Sequence, residues 1–346
     1  MGPLKKNEFL NSNNFLNFSD TFYGAYIQHE DLHKFDKNNY RVLLDENGSC
    51  LIKNKSFRLK ENDVIFCHSM LIEPLFGHLK TVKQFKNIKL ITHQSDISIE
   101  KSDFDKKPNC ISKWYGINVN YSHPDLIPIP IGIGNDSNQK TLTSSNFNKS
   151  IEYVEKINKK YLNFNLNTNY KHRFKALKML HDKEFSFIEK PHQNLQGFKD
   201  NLEKYKFSLA PWGNGFDTHR LWEALYAGSI PVTLSHLSLK SFEEFPIILL
   251  DSYSEFNIKE KKFDDFKYFF NEKLNINWWF KQINNFQLNS DDNYVEFIEN
   301  KELHDYNVGL FFKQYHQNNK VKYRNTIKRK IHKKTFGNKL NKTFGE

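Results

Sequence analysis

The sequence has few cysteines and no long apolar run. Its three cysteines, Cys50, Cys67 and Cys110, are odd in number and lack metal-ligand spacing, which argues against a disulfide framework and suits a reducing compartment. No run of about 18 apolar residues occurs, so we expect no transmembrane helix. The first residues also lack the apolar segment of a signal peptide. These absences favour a cytoplasmic protein whose cysteines are buried structural thiols.

Positive charge is concentrated at one end of the chain. The net charge is +11, yet residues 320–346 hold ten lysines and arginines against one acid, a net charge of +9, which leaves only +2 for residues 1–319. Such a basic tail is typical of a solvated end or of a segment that contacts an anionic membrane surface, and both alternatives stay open. We expect no nucleic-acid binding, because the tail has few aromatic residues and no RNA- or DNA-binding motif occurs.

Short apolar runs alternate with polar helical stretches, which predicts an α/β protein with mostly parallel sheets. At 346 residues the chain exceeds the usual size of one core, so we expect two domains. The predicted units are an N-terminal domain over 1–135, a polar linker over 136–150, a C-terminal domain over 151–300, and a helical segment with the basic tail over 301–346. Ligands of such sheets bind at the carboxyl ends of the strands.

The predicted elements can be placed along the sequence. The candidate strands are 41–44, 64–67, 89–92, 110–112 and 126–131 in the first half, and 161–165, 185–188, 207–209, 230–232 and 247–250 in the second. Helical patterns cover 71–85, 171–181 and 196–205, and the pattern from residue 263 onward is helical and aromatic. Residues 68–73 and 93–96 follow predicted strands, and we therefore expect them at the carboxyl edge of the first sheet.

Residues 207–234 carry the strongest functional pattern. A short strand ends at Pro211, and the glycines Gly213 and Gly215 then allow backbone to approach a ligand closely. Asp217 or Thr218 is expected to cap the following helix, whose first N–H groups and dipole favour an anion. His219 and Arg220 fall in its first turn, where the guanidinium suits a phosphate and the imidazole is either a second phosphate contact or a structural hydrogen-bonding group. Glu223 lies on the same face as Arg220 and is suited to both hydroxyls of a ribose.

The block Pro211-Trp-Gly-Asn-Gly-Phe-Asp-Thr-His-Arg-Leu-Trp-Glu-Ala-Leu closely resembles the signature of exostosin-type glycosyltransferases. Residues 161–169 with Arg173 are similar to the start of that family's nucleotide-binding domain, and residues 128–134 are similar to its interdomain passage. The resemblance implies a GT-B fold, two Rossmann-like domains facing each other across a cleft, and inverting transfer from a nucleotide sugar. It assigns the diphosphate to Arg220 and Arg173 and the ribose to Glu223.

An inverting transfer needs a base that deprotonates the acceptor hydroxyl, and we expect it from the first domain across the cleft. Asp96 is the leading candidate and Glu73 the second, although Asp96 also suits a turn cap. No essential metal or other cofactor is expected, because Arg220, Arg173 and the helix N-terminus can stabilise the departing diphosphate. The letters Asp103-Phe-Asp fit a metal-binding motif but lack a preceding strand, and no zinc spacing, Gly-x-Ser-x-Gly or Walker loop occurs.

The leading hypothesis is therefore a metal-independent glycosyltransferase that uses a UDP-sugar and a glycan acceptor in surface or capsular polysaccharide synthesis. The nearest enzymatic alternative is a fucosyltransferase that uses GDP-fucose. Fucosyltransferases of this kind have a similar strand, loop and helix at this position, but they usually carry Thr-Glu-Lys where this chain has residues 219–223. A non-catalytic, membrane-associated scaffold of the same fold is the third alternative. Localisation is predicted as cytoplasmic, with peripheral membrane contact through residues 320–346.

Overall fold

The computed structural model describes residues 4–46, 48–136, 140–147, 155–181, 184–189, 194–258, 272–284 and 293–320. They form two large sheets that are mainly or wholly parallel, one in each half of the chain, with a smaller two-stranded sheet. The mixed α/β class with parallel sheets is thereby confirmed. Within the described residues, no helix has the length and apolar character needed to cross a membrane.

Eight strands belong to the first half. They are β1 (Thr21–Gln28), β2 (Tyr40–Glu46), β3 (Ser49–Asn54), β4 (Ser56–Lys60), β5 (Val64–His68), β6 (Ile88–His93), β7 (Ile111–Gly116) and β8 (Leu126–Pro128). The seven-stranded sheet has the order β2-β3-β1-β5-β6-β7-β8. Its β2-β3-β1 edge is antiparallel, and the remaining pairs are parallel. All residues of β5 and β6 are buried, which explains their nearly continuous apolar runs.

Five strands form the second sheet, and all of its pairs are parallel. They are β9 (Ile157–Leu162), β10 (Ser186–Ile188), β11 (Tyr205–Leu209), β12 (Ile230–Leu234) and β13 (Ile248–Leu250), in the order β10-β9-β11-β12-β13. Each predicted strand of this half is present with shifted ends. The carboxyl ends of its central strands lie next to the loop at residues 210–218.

The helices cover the faces of both sheets. They are α1 (Ser12–Phe18), α2 (Ile72–Leu79), α3 (Lys101–Phe104), α4 (Tyr170–Leu180), α5 (Leu195–Lys204), α6 (His219–Tyr226), α7 (Ile276–Asn284) and α8 over residues 301–320. The helix predicted over 71–85 ends at Leu79. All three cysteines are buried and unpaired, as expected for structural thiols.

The C-terminal part of the described chain returns to the first half. Strand β14 (Tyr294–Ile298) pairs antiparallel with β4, and Val308 and Phe311 of α8 enter the core under the first sheet. The prediction of a purely helical pattern after residue 263 is therefore wrong at β14. The structure also places 294–298 with the N-terminal unit, although the sequence analysis assigned these residues to the domain 151–300.

The two halves share one continuous core around α6. Phe15 and Ile91 of the first half belong to the same apolar cluster as Trp222 and Leu225 of α6. The predicted linker also takes part: Leu142, within it, is fully buried in this cluster. The polar linker predicted over 136–150 is therefore a packed segment over its described part at 140–147, where Leu142 and Phe147 lie in the core beside α6.

Candidate functional site

A cleft of about 1600 Å³ lies between the carboxyl edges of the two sheets. The first half contributes His68 and Asp96, which follow or end its parallel strands. The second half contributes Asn169, Gly213 and His219. Residues 68 and 93–96 were expected at this edge, and the structure places them there. The cleft therefore occupies the position at which α/β sheets bind their ligands.

The glycine loop after β11 is held from behind by α4. The Arg173 Nε donates to the Trp212 carbonyl at 3.0 Å, and its Nη1 donates to the Asn165 carbonyl at 2.8 Å. Asn169 Nδ2 donates to the Gly213 carbonyl at 2.8 Å. Arg173 was predicted as a second phosphate ligand. In the structure, two of its N–H groups donate to backbone carbonyls and thereby hold the glycine loop in place. Its contact with phosphate stays a prediction.

Asn118 of the first half holds the other end of this loop. Its Oδ1 accepts the backbone N–H groups of Phe216 and Asp217 at 2.9 and 3.3 Å. A Cβ built at Gly215 would lie 2.4 Å from this oxygen, so a larger residue would displace the Asn118 side chain from its two hydrogen bonds. Gly215 was predicted to let backbone approach a ligand, whereas the structure gives it an interdomain packing role. Sequence reasoning missed Asn118, because its partners are about a hundred residues away.

Asp217 connects the two halves below the cleft. Its Oδ2 accepts the Ile131 N–H at 2.7 Å, and its Oδ1 accepts Trp222 Nε1 at 2.8 Å. Burial raises the pKa of this carboxyl to about 7, although these donors act in the opposite direction. Thr218 occupies the N-cap position of α6, but its side chain makes no capping hydrogen bond. Thr218 was one of the two predicted caps, and this part of the prediction is wrong.

Arg220 and Glu223 lie on the inner side of α6 and do not line the large cleft. The Arg220 guanidinium lies 5.1 Å from the ring centre of Phe198 in α5, and its Nη1 is buried without a hydrogen-bond partner among the described residues. Burial lowers the pKa of Arg220, and Glu223 counteracts this. Glu223 is itself buried, with Oε1 accepting the Leu142 N–H at 2.8 Å, and burial raises its pKa.

A second polar group lies at the carboxyl ends of β9 and β10, on the side that Arg220 faces. The Asn163 amide donates to Tyr161 Oη at 2.7 Å and to Glu189 at 2.8 Å. The Asn163 Oδ1 is buried and has no hydrogen-bond partner among the described residues. Tyr161 is also close enough to Arg220 to act on its charge. The Arg220 Nη1 and the Asn163 Oδ1 are thus two buried polar atoms at this edge without a hydrogen-bond partner among the described residues, and sequence reasoning missed Asn163.

His219 points to the opposite side of α6 and lines the cleft. Its Nδ1 is 2.7 Å from the Gly132 carbonyl oxygen, which can only accept. The proton of the neutral ring is therefore on Nδ1, and Nε2 keeps its lone pair. The first turn of α6 consequently serves two regions, with His219 toward the cleft and Arg220 toward the edge of β9.

The two predicted bases lie in different places. Asp96 lines the cleft, where its Oδ2 accepts the Asn214 amide at 3.0 Å across the boundary between the halves. Glu73 accepts a hydrogen bond from Gln314 of α8 at 3.0 Å and lines a separate cavity of about 220 Å³. Asp96 therefore lies in the cleft between the halves, where the base was expected, and Glu73 lies in the other cavity.

Histidines and tyrosines form the first-half wall of the cleft. Burial lowers the pKa of His68 to about 4 and that of His93 to about 3, so both rings are neutral at pH 7. Tyr26 donates to Glu46 at 3.3 Å, and Tyr315 of α8 lines the cleft nearby. His68 and His93 were expected at this edge, whereas the two tyrosines were not, and Tyr315 reaches it on α8 from the far end of the chain.

The arrangement places His219 and Asp96 in the cleft between the halves, and Arg220 and the buried carboxylate of Glu223 outside it. A scan of the sequence against models of known protein families finds no match. A search of curated proteins finds no matching sequence either.

Proposed function

We propose that the chain is an inverting glycosyltransferase with the GT-B arrangement, which moves a sugar from a UDP-sugar to a glycan acceptor in surface or capsular polysaccharide synthesis. The observation that carries the proposal is the buried Arg220 Nη1, which has no hydrogen-bond partner among the described residues. A cation whose buried Nη1 has no hydrogen-bond partner among the described residues, in the first turn of a helix that follows a parallel strand, suits a diphosphate.

The donor side of the proposal uses α6 and the edge of β9. Negative charge develops on the diphosphate as its bond to the anomeric carbon breaks, and Arg220 with the first N–H groups of α6 stabilises that charge without a metal. Glu223 holds the Leu142 N–H with Oε1, and we assign its Oε2 to the ribose hydroxyls. The Asn163 Oδ1 is buried and has no hydrogen-bond partner among the described residues. It supplies an acceptor for the nucleoside.

The acceptor side uses the wall of the first half. Asp96 takes the proton of the acceptor hydroxyl, since it lines the cleft on the side opposite the second sheet. Glu73 has no part in this proposal, because it lies in a different cavity. The rings of Tyr26 and Tyr315, with the carboxylate of Glu46, offer a flat surface with hydrogen-bonding groups beside it. Such a surface suits a sugar ring and its hydroxyls.

The proposed location at a membrane surface follows from the positive charge of the C-terminal tail. Residues 320–346 carry a net charge of +9, which favours contact of a cytoplasmic enzyme with an anionic membrane surface. Glycan acceptors carried on lipids lie at such a surface. The tail lies outside the described residues except for Lys320.

A panel of UDP- and GDP-sugars tests the proposal. We expect hydrolysis or transfer of one UDP-sugar by the wild-type chain, with inverted anomeric configuration in the product measured by NMR. Asp96→Asn should lower kcat by about a hundredfold or more with little change in donor KM, because a general base typically contributes about 10²–10⁴-fold. Activity with GDP-fucose alone would support the fucosyltransferase, and no binding of any nucleotide sugar would support the scaffold.

A further inference from the structure

Three side chains with different metal-binding atoms meet at the antiparallel edge of the first sheet. They are His29, Asp45 and Cys50, and their ligand atoms all lie within 4.8 Å of one another. His29 Nε2 is already 2.9 Å from Asp45 Oδ1. The Cys50 Sγ lies within 4.8 Å of an Asp45 carboxylate oxygen, and burial together with that carboxylate raises the pKa of the thiol. One carboxylate therefore lies beside both an imidazole and a thiol.

Backbone pairing, more than side-chain flexibility, fixes this cluster. Asp45 of β2 lies directly opposite Cys50 of β3 in the antiparallel register, which puts both side chains on one face. Cys50 is in turn opposite Ile27 of β1, and the His29 N–H donates to the Gly48 carbonyl at 3.1 Å. The three side chains thus converge where β1 and β2 end and β3 begins.

We propose that His29, Asp45 and Cys50 bind a divalent, thiol-seeking metal ion of the zinc class, with a water in the fourth position. Tetrahedral zinc with bonds of ~2.0–2.3 Å separates its ligand atoms by ~3.3–3.8 Å, so the observed spacing needs only side-chain adjustment. Imidazole nitrogen, carboxylate oxygen and thiolate sulfur are all zinc ligands. This site is independent of the proposed sugar transfer, which uses none of the three residues.

A metal ion can reach this site from solvent, and each proton that it displaces from a ligand has a place to go. The side chains of His29 and Asp45 are 48% and 63% exposed, whereas Cys50 is buried. The ion therefore reaches the sulfur past two solvent-facing ligands. On binding, the thiol proton passes to solvent as the metal–sulfur bond forms. The His29 ring proton moves to Nδ1, so that Nε2 becomes a ligand.

A metal ion at this position would stabilise the hairpin of β2 and β3. Side chains alternate between the faces of a strand, and the alternate residues Leu44, Glu46 and Ser49 of this hairpin line the large cleft. A metal that joins β1, β2 and β3 on the opposite face, where Cys50 belongs to the apolar cluster around α6, would fix the hairpin that forms the cleft wall. Sequence reasoning missed the site, because its ligands are 16 and 5 residues apart and match no known zinc spacing.

Cobalt absorption tests the inference with the full chain, stripped of metal by a chelator. Co²⁺ should produce the near-ultraviolet absorption of a thiolate–cobalt bond, saturating at one ion per chain, and Zn²⁺ should displace it. Cys50→Ser should abolish the band. His29→Gln and Asp45→Asn, at exposed positions that tolerate substitution, should each weaken Co²⁺ binding by about tenfold or more.

Two matched variants serve as controls. Cys67→Ser alters another buried cysteine, and His33→Gln alters another exposed histidine four residues from His29. Both should bind Co²⁺ like the wild type. A wild-type chain without the band, a band that persists in Cys50→Ser, or equal affinity of His29→Gln and His33→Gln would overturn the inference. Should Cys50→Ser fail to fold, the two exposed-ligand variants still decide it.

Discussion

Replacement of Glu299 by glutamine is expected to release the C-terminal helix from the first half of the chain. Glu299 follows β14 and precedes α8, and its carboxylate is almost fully buried. It accepts hydrogen bonds from five side chains: Tyr23 at 2.8 Å, Lys53 at 2.5 Å, His78 at 2.7 Å, His304 at 2.8 Å and Asn307 at 2.8 Å. These donors come from β1, β3, α2 and α8, so one carboxylate joins four elements.

The size of the effect follows from Lys53, whose side chain is fully buried. Glutamine would leave its ammonium without a counter-charge, and breaking a buried pair in this way costs about 3–5 kcal/mol. Burial acts to raise the pKa of Glu299, but the hydrogen bonds from His78, Lys53 and Tyr23 and the charge of Lys53 hold it below its ordinary value of 4.5. Its contribution to the free energy of unfolding is therefore fully present above about pH 4.5 and is lost as the pH falls through the lowered pKa.

Urea unfolding and limited proteolysis measure this effect. Glu299→Gln should lower the midpoint of unfolding by an amount equivalent to about 3–5 kcal/mol and expose α8 to protease. Glu296→Gln on the same strand is the control, because Glu296 pairs with Arg58 at 3.0 Å on the exposed surface. That variant should leave the midpoint of unfolding close to the wild-type value, because exposed ion pairs contribute little to stability. Equal effects of the two substitutions would refute the reasoning.

Three further predictions concern the site and the tail. Gly215→Ala should destabilise the chain by about 1–3 kcal/mol through its clash with Asn118, whereas Gly77→Ala, whose Cβ would meet no described atom within 4 Å, should have no such effect in the same urea assay. Burial raises the pKa of Asp217 from 3.8 to about 7, so the free energy of unfolding should decrease as the pH rises from about 4 to 7. Asp217→Asn should remove that decrease, and the same pH dependence in the variant as in the wild type would contradict the prediction. Deletion of 320–346 should reduce binding to anionic vesicles at low salt and leave donor binding intact, and equal vesicle binding would exclude membrane contact.

The second sheet was largely predictable from sequence, because its signals are local. Strand β11, the glycine loop, α6 and β12 follow one another within 30 residues, and Pro211 and Gly228 mark the ends of elements. The central strands β5 and β6 were equally visible as short apolar runs. In these segments the pattern and the burial agree, so the sequence alone locates the helix start that carries Arg220.

The antiparallel edge and the C-terminal return were not predictable in the same way. Strand β3 ends in Ile52-Lys53-Asn54, where a buried lysine contradicts a strand core unless its partner is known. That partner is Glu299, which lies 246 residues further along the chain. The crossing of β14 and α8 to the first half depends on this contact, and no local pattern encodes it.

The candidate site was predictable in its residues but only partly in their geometry. Sequence placed Arg220, Glu223 and His219 on one short helix. It did not show that His219 faces the cleft while Arg220 faces α5. Arg173 appeared suited to phosphate, yet two of its donors bind backbone carbonyls. Backbone acceptors are available at every residue, and their positions emerge only after folding.

Titration of UDP into the wild-type chain and two arginine variants tests the central claim most directly. Arg220→Ala should weaken UDP binding by about 10–100-fold, since a charge-assisted bond to phosphate contributes about 1.5–3 kcal/mol. Arg58→Ala, which removes an exposed arginine paired with Glu296, should bind UDP like the wild type. Wild-type affinity in Arg220→Ala, or no UDP binding by the wild-type chain, would contradict the account.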